Sequence, residues 1–245
     1  MPDFRESLYQ RYVTAFKTGN YEPLGADLSA WYECKYLPLL YGLEHGDAIL
    51  DLGCGQGHLV QFLKRQGFSN VKGIDISAEQ IEIAVSRGLD AEVADVFEFL
   101  PGQEAAFKAI FAVDVIEHFT KEEIISLLRL IHRSLKDSGK LILQTPNGQG
   151  LFPLQVIFGD ITHMTIFTPD SLEHILKFGG FDHVRFFETG PVPKNINGAI
   201  RLILWRFIKI IANALRMIEC GKTQKIWTEN MICCCDRSSL QSAGK

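Results

Sequence analysis

From Ala48 onward, short apolar runs alternate with stretches in which apolar residues recur every three or four positions. Short runs bounded by turn residues predict buried strands, and the longer spacing predicts amphipathic helices. Regular alternation of the two is the pattern of a parallel sheet covered on both faces. Strands are expected at 48–52 and 71–75, and two helix starts are marked by capping boxes, Ser77 to Gln80 and Thr120 to Glu123. Each box is preceded by an apolar residue, Ile76 or Phe119, able to act as a hydrophobic staple. The helix after Thr120 carries a stripe of Ile124, Leu127, Leu128, Ile131 and Leu135, with Gly139 as its expected stop. A later helix opens at Thr168-Pro169-Asp170, with proline in its first turn, and ends at Gly179-Gly180.

Two segments depart from this rhythm. Residues 1–45 form an aromatic arm that includes Tyr9, Tyr12, Phe16, Tyr21, Trp31, Tyr32 and Tyr36. Residues of about 196–220 predict one long helix. Wound at 3.6 residues per turn, Arg201, Arg206, Lys209, Asn213 and Arg216 share one side. Ile203, Leu204, Phe207, Ile208, Ile211 and Leu215 take the wide remainder. Interspersed charges argue against a membrane span. Such a helix suits the protein's own core, a homodimer partner or a membrane interface.

A chain of 245 residues with 47% hydrophobic content suits one domain, taken as 46–237 with a frayed tail at 238–245. The formal charge of −4 argues against nucleic acid as the main partner. The first residues lack an apolar signal core, and six cysteines show no paired spacing, so a reduced, cytoplasmic protein is expected. Cys233-Cys234-Cys235 are adjacent, and neighbours in a strand point to opposite faces, which does not favour a shared metal site.

The chemistry starts at Asp51-Leu52-Gly53-Cys54-Gly55-Gln56-Gly57, where a strand runs into glycines at alternate positions. Such glycines admit positive φ and close approach of a ligand, and a helix starting at Gly57 aims free N–H groups at it. The third glycine comes one residue earlier than in a nicotinamide-binding turn. Asp51 would repel a pyrophosphate but suits the cation of an amino-acid group.

This turn resembles the first motif of class I S-adenosylmethionine-dependent methyltransferases, and four further segments follow in that family's order. They are Val71-Lys72-Gly73-Ile74-Asp75, Ala94-Asp95-Val96, the run from Ala109 to His118, and Leu141 to Asn147. The resemblance implies a Rossmann-like α/β fold. Its mostly parallel, seven-stranded sheet has helices on both faces, with strands near 182–188 and 225–235 as the antiparallel edge and the long helix inserted between them. It implies S-adenosylmethionine as cofactor, held by Asp51, Gly53, Cys54, Gly55, Asp75, Ile76, Asp95, Val96 and Asp114. Asp75 corresponds to the acid that grips ribose hydroxyls and Asp95 to the one facing the adenine amine. The aromatic arm is expected over the cleft, with Tyr9 and Tyr12 as candidate contacts.

Transfer to an alcohol needs a base, and histidine suits that role at neutral pH. His163 lies in Asp160-Ile161-Thr162-His163, a stretch resembling enzymes of bacterial surface glycans and O-antigen and also ubiquinone-type O-methyltransferases. Asp160 is expected to orient its imidazole. His118 is the second catalytic candidate. Asp114, Glu117 and His118 resemble a divalent-ion segment of ubiquinone-pathway enzymes, but the set is sparse for an all-protein site and no metal is expected. The resemblance therefore implies a small-molecule or lipid-linked glycan acceptor. A ring-hydroxyl enzyme of the ubiquinone type and a non-catalytic cofactor-binding subunit are the alternatives.

Overall fold

The computed structural model describes residues 24–238. Seven strands form one sheet: β1 (Ile49–Leu52), β2 (Val71–Asp75), β3 (Ala91–Val93), β4 (Phe107–Val113), β5 (Leu135–Pro146), β6 (Phe181–Glu188) and β7 (Asn230–Arg237). Their order is β3-β2-β1-β4-β5-β7-β6, with β7 antiparallel to both β5 and β6 and the remaining pairs parallel. The helices are α1 (Ala26–Lys35), α2 (His58–Arg65), α3 (Ala78–Ser86), α4 (Val96–Phe99), α5 (Lys121–Ser134), α6 (Leu154–Phe158), α7 (Pro169–Phe178) and α8 (Ile196–Cys220).

Strand alternation divides the core into two layers. Leu50, Leu52, Ile110, Leu141 and Cys233 pack with the α5 stripe and with Leu172 and Leu176 of α7. Ile49, Phe111, Ile142 and Cys234 pack with Phe62 and Leu63 of α2 and with Tyr32 and Tyr36 of α1. Both faces are buried, so the central strands read as unbroken apolar runs. Cys233, Cys234 and Cys235 are buried free thiols that alternate between the layers.

Four expectations are corrected. The helix after Thr120 ends at Ser134, and Leu135 begins β5 instead of completing the stripe. Leu135 pairs with Phe107 and Lys140 with Ala109, so Gly139 lies inside a bulged strand, next to Ser138 at φ 56°. Leu135 is buried in either reading, which is why its spacing misled. The box at Ser77 does not form: its N–H donates to Asp75 Oδ1, and its hydroxyl makes no side-chain cap. The box at Thr120 and Glu123 does form, and Thr168 with Ser171 forms another. Finally, β7 starts at Asn230, because Asn147 Nδ2 holds the preceding turn through the carbonyls of Ile226 and Thr228.

Helix α8 turns its faces the opposite way from a core helix. Lys209 pairs with Glu188 at 2.6 Å, Asn213 accepts from the Gln224 N–H, and Ala212 is buried. Phe207, Ile211 and Leu215 are 62, 62 and 63% exposed. Its apolar face is therefore not the one that covers the protein's own core. No helix among the described residues is long and apolar enough to cross a membrane. Tyr9, Tyr12 and the tail from residue 239 lie outside the described residues.

Helix α1 is tied to the sheet edge by Lys35 and Trp31, which donate to the carbonyls of Glu188 and Thr189, and in the buried layer by Tyr36, which donates its hydroxyl to Gln144 Oε1 at 2.9 Å. Removing the hydroxyl leaves that oxygen desolvated and without its donor, at a cost of about 1–3 kcal/mol. Tyr36→Phe is expected to lower the unfolding free energy by that amount, read as a lower urea midpoint at an unchanged m-value. An unmoved midpoint would show that the bond contributes nothing.

Candidate functional site

The site lies at the carboxyl ends of the parallel strands, the edge at which open α/β sheets bind ligands. Gly53, Gly55 and Gly57 adopt φ of 69°, 53° and 77°. A Cβ on Gly53 would stand 2.5 Å from Val115 Cγ2, so neither the backbone nor the space accepts a side chain there. The turn, with Tyr32, Asp51 and Gln80, lines a cavity of about 150 Å³ at the start of α2. Asp51 is 2% exposed, and burial, reinforced by Asp75, pushes its carboxyl up to about 8. A group held in that state is one that a bound cation would ionise. Cys54 lines the same cavity, but burial and the neighbouring Asp51 push its thiol far above the usual range, so it is no nucleophile.

The other expected cofactor residues stand around this cradle. Asp75 accepts the Gly55 N–H at 2.9 Å and the Ser77 N–H at 2.8 Å, tying the glycine turn to the end of β2. Ile76 beside it is partly exposed. Asp95 caps α4 through the Phe97 N–H at 2.7 Å, and Val96 is buried beneath it. Asp114, at φ 54°, accepts from Gln144 Nε2 at 3.2 and 3.1 Å. Of the nine expected residues, Asp51, Gly53, Cys54 and Gly55 line the cavity itself. Gln80 does so as well, although its spacing marked it only as a capping residue. Its burial against the glycine turn is a tertiary fact.

The two candidate histidines meet. Their rings lie 4.8 Å apart between centroids, because the Glu117 carbonyl accepts the N–H groups of Met164 and Thr165 and pins the loop to the end of β4. Glu117 is fully buried. Thr145 donates to its Oε2 at 3.1 Å, while Oε1 has no hydrogen-bond partner and lies 4.0 Å from His163 Nε2. Burial, and next to it Asp114, raises the Glu117 carboxyl well above the carboxylate range. His163 Nδ1 lies 3.1 Å from the Ile157 carbonyl, which can only accept, so Nδ1 carries the proton and Nε2 faces Glu117. His118 sits deeper, with Nδ1 2.9 Å from Thr162 Oγ1, and burial with His163 nearby lowers it to about 4.

One assignment is corrected here. Asp160 accepts both the N–H and the hydroxyl of Thr162, so it braces the His118 side of the pair. The carboxyl that faces His163 belongs to Glu117, since the turn at Asp160 folds back on its own loop. Glu117, His118 and His163 also place ligand atoms within 4.8 Å of one another, a carboxylate and two imidazoles of the kind that suits a divalent transition ion. Asp114, expected in that set, is outside it and bonds to Gln144.

Comparison with known proteins bears directly on the glycine turn. A methyltransferase domain family model matches residues 28–185. The chain is similar to a probable tRNA methyltransferase 9B of Bos taurus, 36% identical over 122 residues, covering 49% of this chain and 26% of the relative. It is also similar to a mitochondrial ubiquinone biosynthesis O-methyltransferase of Rattus norvegicus, 32% identical over 155 residues, covering 55% of this chain and 44% of the relative. The chain thus spans less than half the length of these curated relatives. Among solved structures, a SAM-dependent methyltransferase from Archaeoglobus fulgidus superposes with a TM-score of 0.65 at 19% identity, over 96% of this chain and 100% of that one. Family match and strand order agree with the cradle built by Asp51, the glycines and Asp75: the chain belongs to the methyltransferase domain family and has the fold of an S-adenosylmethionine-dependent methyltransferase.

Proposed function

We propose that the protein transfers a methyl group from S-adenosylmethionine to an oxygen of a glycan or glycolipid acceptor in bacterial surface-polysaccharide synthesis. The observation that carries the oxygen acceptor is the Glu117–His163 pair beside the sheet edge. Bound S-adenosylmethionine supplies an electrophilic methyl group on a sulfonium sulfur. Asp51 faces the amino-acid cation, and the glycine turn leaves room for the backbone to approach. Asp75, which accepts the N–H groups of Gly55 and Ser77 at the end of β2, faces the ribose hydroxyls. His163 Nε2 takes the acceptor's hydroxyl proton, Ile157 holds the ring's other nitrogen, and the imidazolium lies 4.0 Å from Glu117 Oε1.

The lipid-linked form of the acceptor is supported by α8. Its apolar face is exposed, Lys209 is paired with Glu188, and Arg201, Arg206, Arg216 and Lys222 stand against Glu219 as the only acid between 196 and 222. In a chain of net charge −4, that local excess of positive charge complements an anionic bilayer. We therefore assign peripheral contact with the inner face of a membrane to this helix. The Phe207→Glu, Ile211→Glu double variant, altered at exposed positions, should keep the wild-type melting temperature and lose binding to anionic vesicles. Unfolding would instead assign the face to protein packing.

A cation facing Asp51 favours its ionised form, and the carboxyl titrates at about 8 beforehand. Binding of S-adenosylmethionine should therefore release a proton at pH 7, and affinity should rise from pH 6 toward pH 8. Calorimetry in buffers of different ionisation enthalpy reads this directly. Proton release should vanish in Asp51→Asn, and its persistence there would remove Asp51 from the cation site.

His163→Ala should keep cofactor affinity and lose about 10²–10⁴-fold in turnover. Activity should survive excess chelator. Loss on chelation with rescue by Mg²⁺ would favour a ring-hydroxyl enzyme using Glu117 and His118, and normal turnover in His163→Ala would make the loop structural.

A further inference from the structure

All three tryptophans of the chain, Trp31, Trp205 and Trp227, line a single cavity of about 630 Å³. This is a second cavity, separate from the glycine turn, formed by Thr189 and Gly190 after β6, the turn before β7 and the first turns of α8. Because Asn230 at the start of β7 pairs with Pro146 at the end of β5, the cavity opens on the same carboxyl edge of the sheet as the cofactor cradle. The two share a wall: Trp31 lines one and its neighbour Tyr32 the other, both on α1.

The indoles are fixed by their N–H groups. Trp31 donates to the Thr189 carbonyl at 3.0 Å, Trp205 to Glu188 Oε2 at 3.3 Å and Trp227 to the Gln224 carbonyl at 3.1 Å. With every N–H used in the wall, the rings offer a ligand carbon surface alone. The polar lining complements this. The side chains of Arg201, Asn197 and Glu229 make no hydrogen bond or ion pair among the described residues. Lys194 pairs with the largely exposed Asp27, and α8 directs its positive end, capped by Asn195, into the same space.

A ligand matching this lining has C–H faces for the indoles, hydroxyls for Asn197 and Glu229, and an anion for Arg201. An aromatic cage for an amine is the other common use of such rings; Lys194 is offset by Asp27 and the Glu229 carboxylate also lines the space, so it is Arg201 together with the helix N-terminus that favours an anion. We propose that this cavity is the acceptor site, seating the sugar of a glycosyl phosphate against the tryptophans with its phosphate at Arg201. The volume falls within the range of about 300–1,000 Å³ usual for small-molecule sites. This inference rests on the reading of the protein as a methyltransferase of glycan acceptors. The glycosyl phosphate can be a soluble nucleoside diphosphate sugar or a saccharide on a polyprenyl diphosphate. The same helix that supplies Arg201 and Trp205 to the cavity also carries the exposed apolar face assigned above to the membrane, which suits the second.

Since all three tryptophans line this cavity, selectively excited tryptophan fluorescence reports on it, and it is read in protein already saturated with S-adenosylmethionine because Trp31 also packs on Tyr32 of the cofactor cradle. The full-length protein would be titrated with hexose 1-phosphates, nucleoside diphosphate hexoses, and vesicles carrying polyprenyl-diphosphate saccharide. At least one is expected to give a saturable change, and the same sugar without phosphate to bind about 10-fold or more weaker. Response to the soluble sugars, or to vesicles only, separates the two sources. Arg201→Ala should raise the Kd for the phosphorylated form about 10-fold or more, with S-adenosylmethionine affinity as in wild type and little effect on the sugar alone. Methyl transfer to a glycosyl phosphate with unchanged fluorescence, or with an unchanged KM in Arg201→Ala, overturns the cavity assignment while leaving the glycan reading intact. Methyl transfer to a non-saccharide acceptor only, with no fluorescence response to any of the sugars, overturns both.

Discussion

The site depends first on the carboxylate of Asp75. By accepting N–H groups from Gly55 and Ser77 it joins the turn after β1 to the turn after β2. Charge-assisted bonds of this kind are roughly twice as strong as neutral ones, and they fix a loop whose glycines have no side chains to pack. The packing beneath is equally tight. A Cβ on Gly73 would stand 2.6 Å from Cys54 Sγ, so β2 can approach the turn only because that position is glycine. The cradle that follows is narrow enough to desolvate Asp51, and its raised carboxyl is a consequence of this closeness.

The second centre is built on the same economy of buried polar groups. Glu117 anchors the loop through its backbone carbonyl and presents one carboxyl oxygen to His163 from the interior. A buried acid without a full set of hydrogen bonds costs stability, and such costs concentrate at functional positions. His118 carries the opposite burden, held neutral beneath its neighbour. His118 is thus held beneath its neighbour, while His163 Nε2 lies 4.0 Å from Glu117 Oε1.

Helix α8 links the sheet edge to whatever lies beyond it. Glu188, at the end of β6, receives Lys209, Trp205 and the Trp227 N–H, so one carboxylate gathers the helix, the tryptophan cavity and the turn before β7. Turning polar residues inward toward that acid leaves the isoleucines and Phe207 outside. The arrangement costs the apolar burial that a helix of this composition would otherwise gain.

The succession of strands and helices, the glycine turn and burial of the sheet on both faces follow from local patterns, because period and glycine spacing are properties of the chain itself. The family segments from Asp51 to Asn147 could be read for the same reason. The antiparallel edge, by contrast, came from the family resemblance and the strand order from the structure. The sequence also determined that His163 and His118 belong near the sheet edge, since both follow strand ends. Tertiary structure alone decided which carboxyl faces which histidine, because Glu117 and Asp160 are equally acidic on paper and differ only in where their backbones turn. It decided that Leu135 starts a strand, as a buried leucine satisfies either element. It decided the outward apolar face of α8, since amphipathicity gives a helix two sides without saying which one meets the protein. And it gathered Trp31, Trp205 and Trp227, which are far apart in sequence, because only the closure of β7 between β5 and β6 brings those segments together.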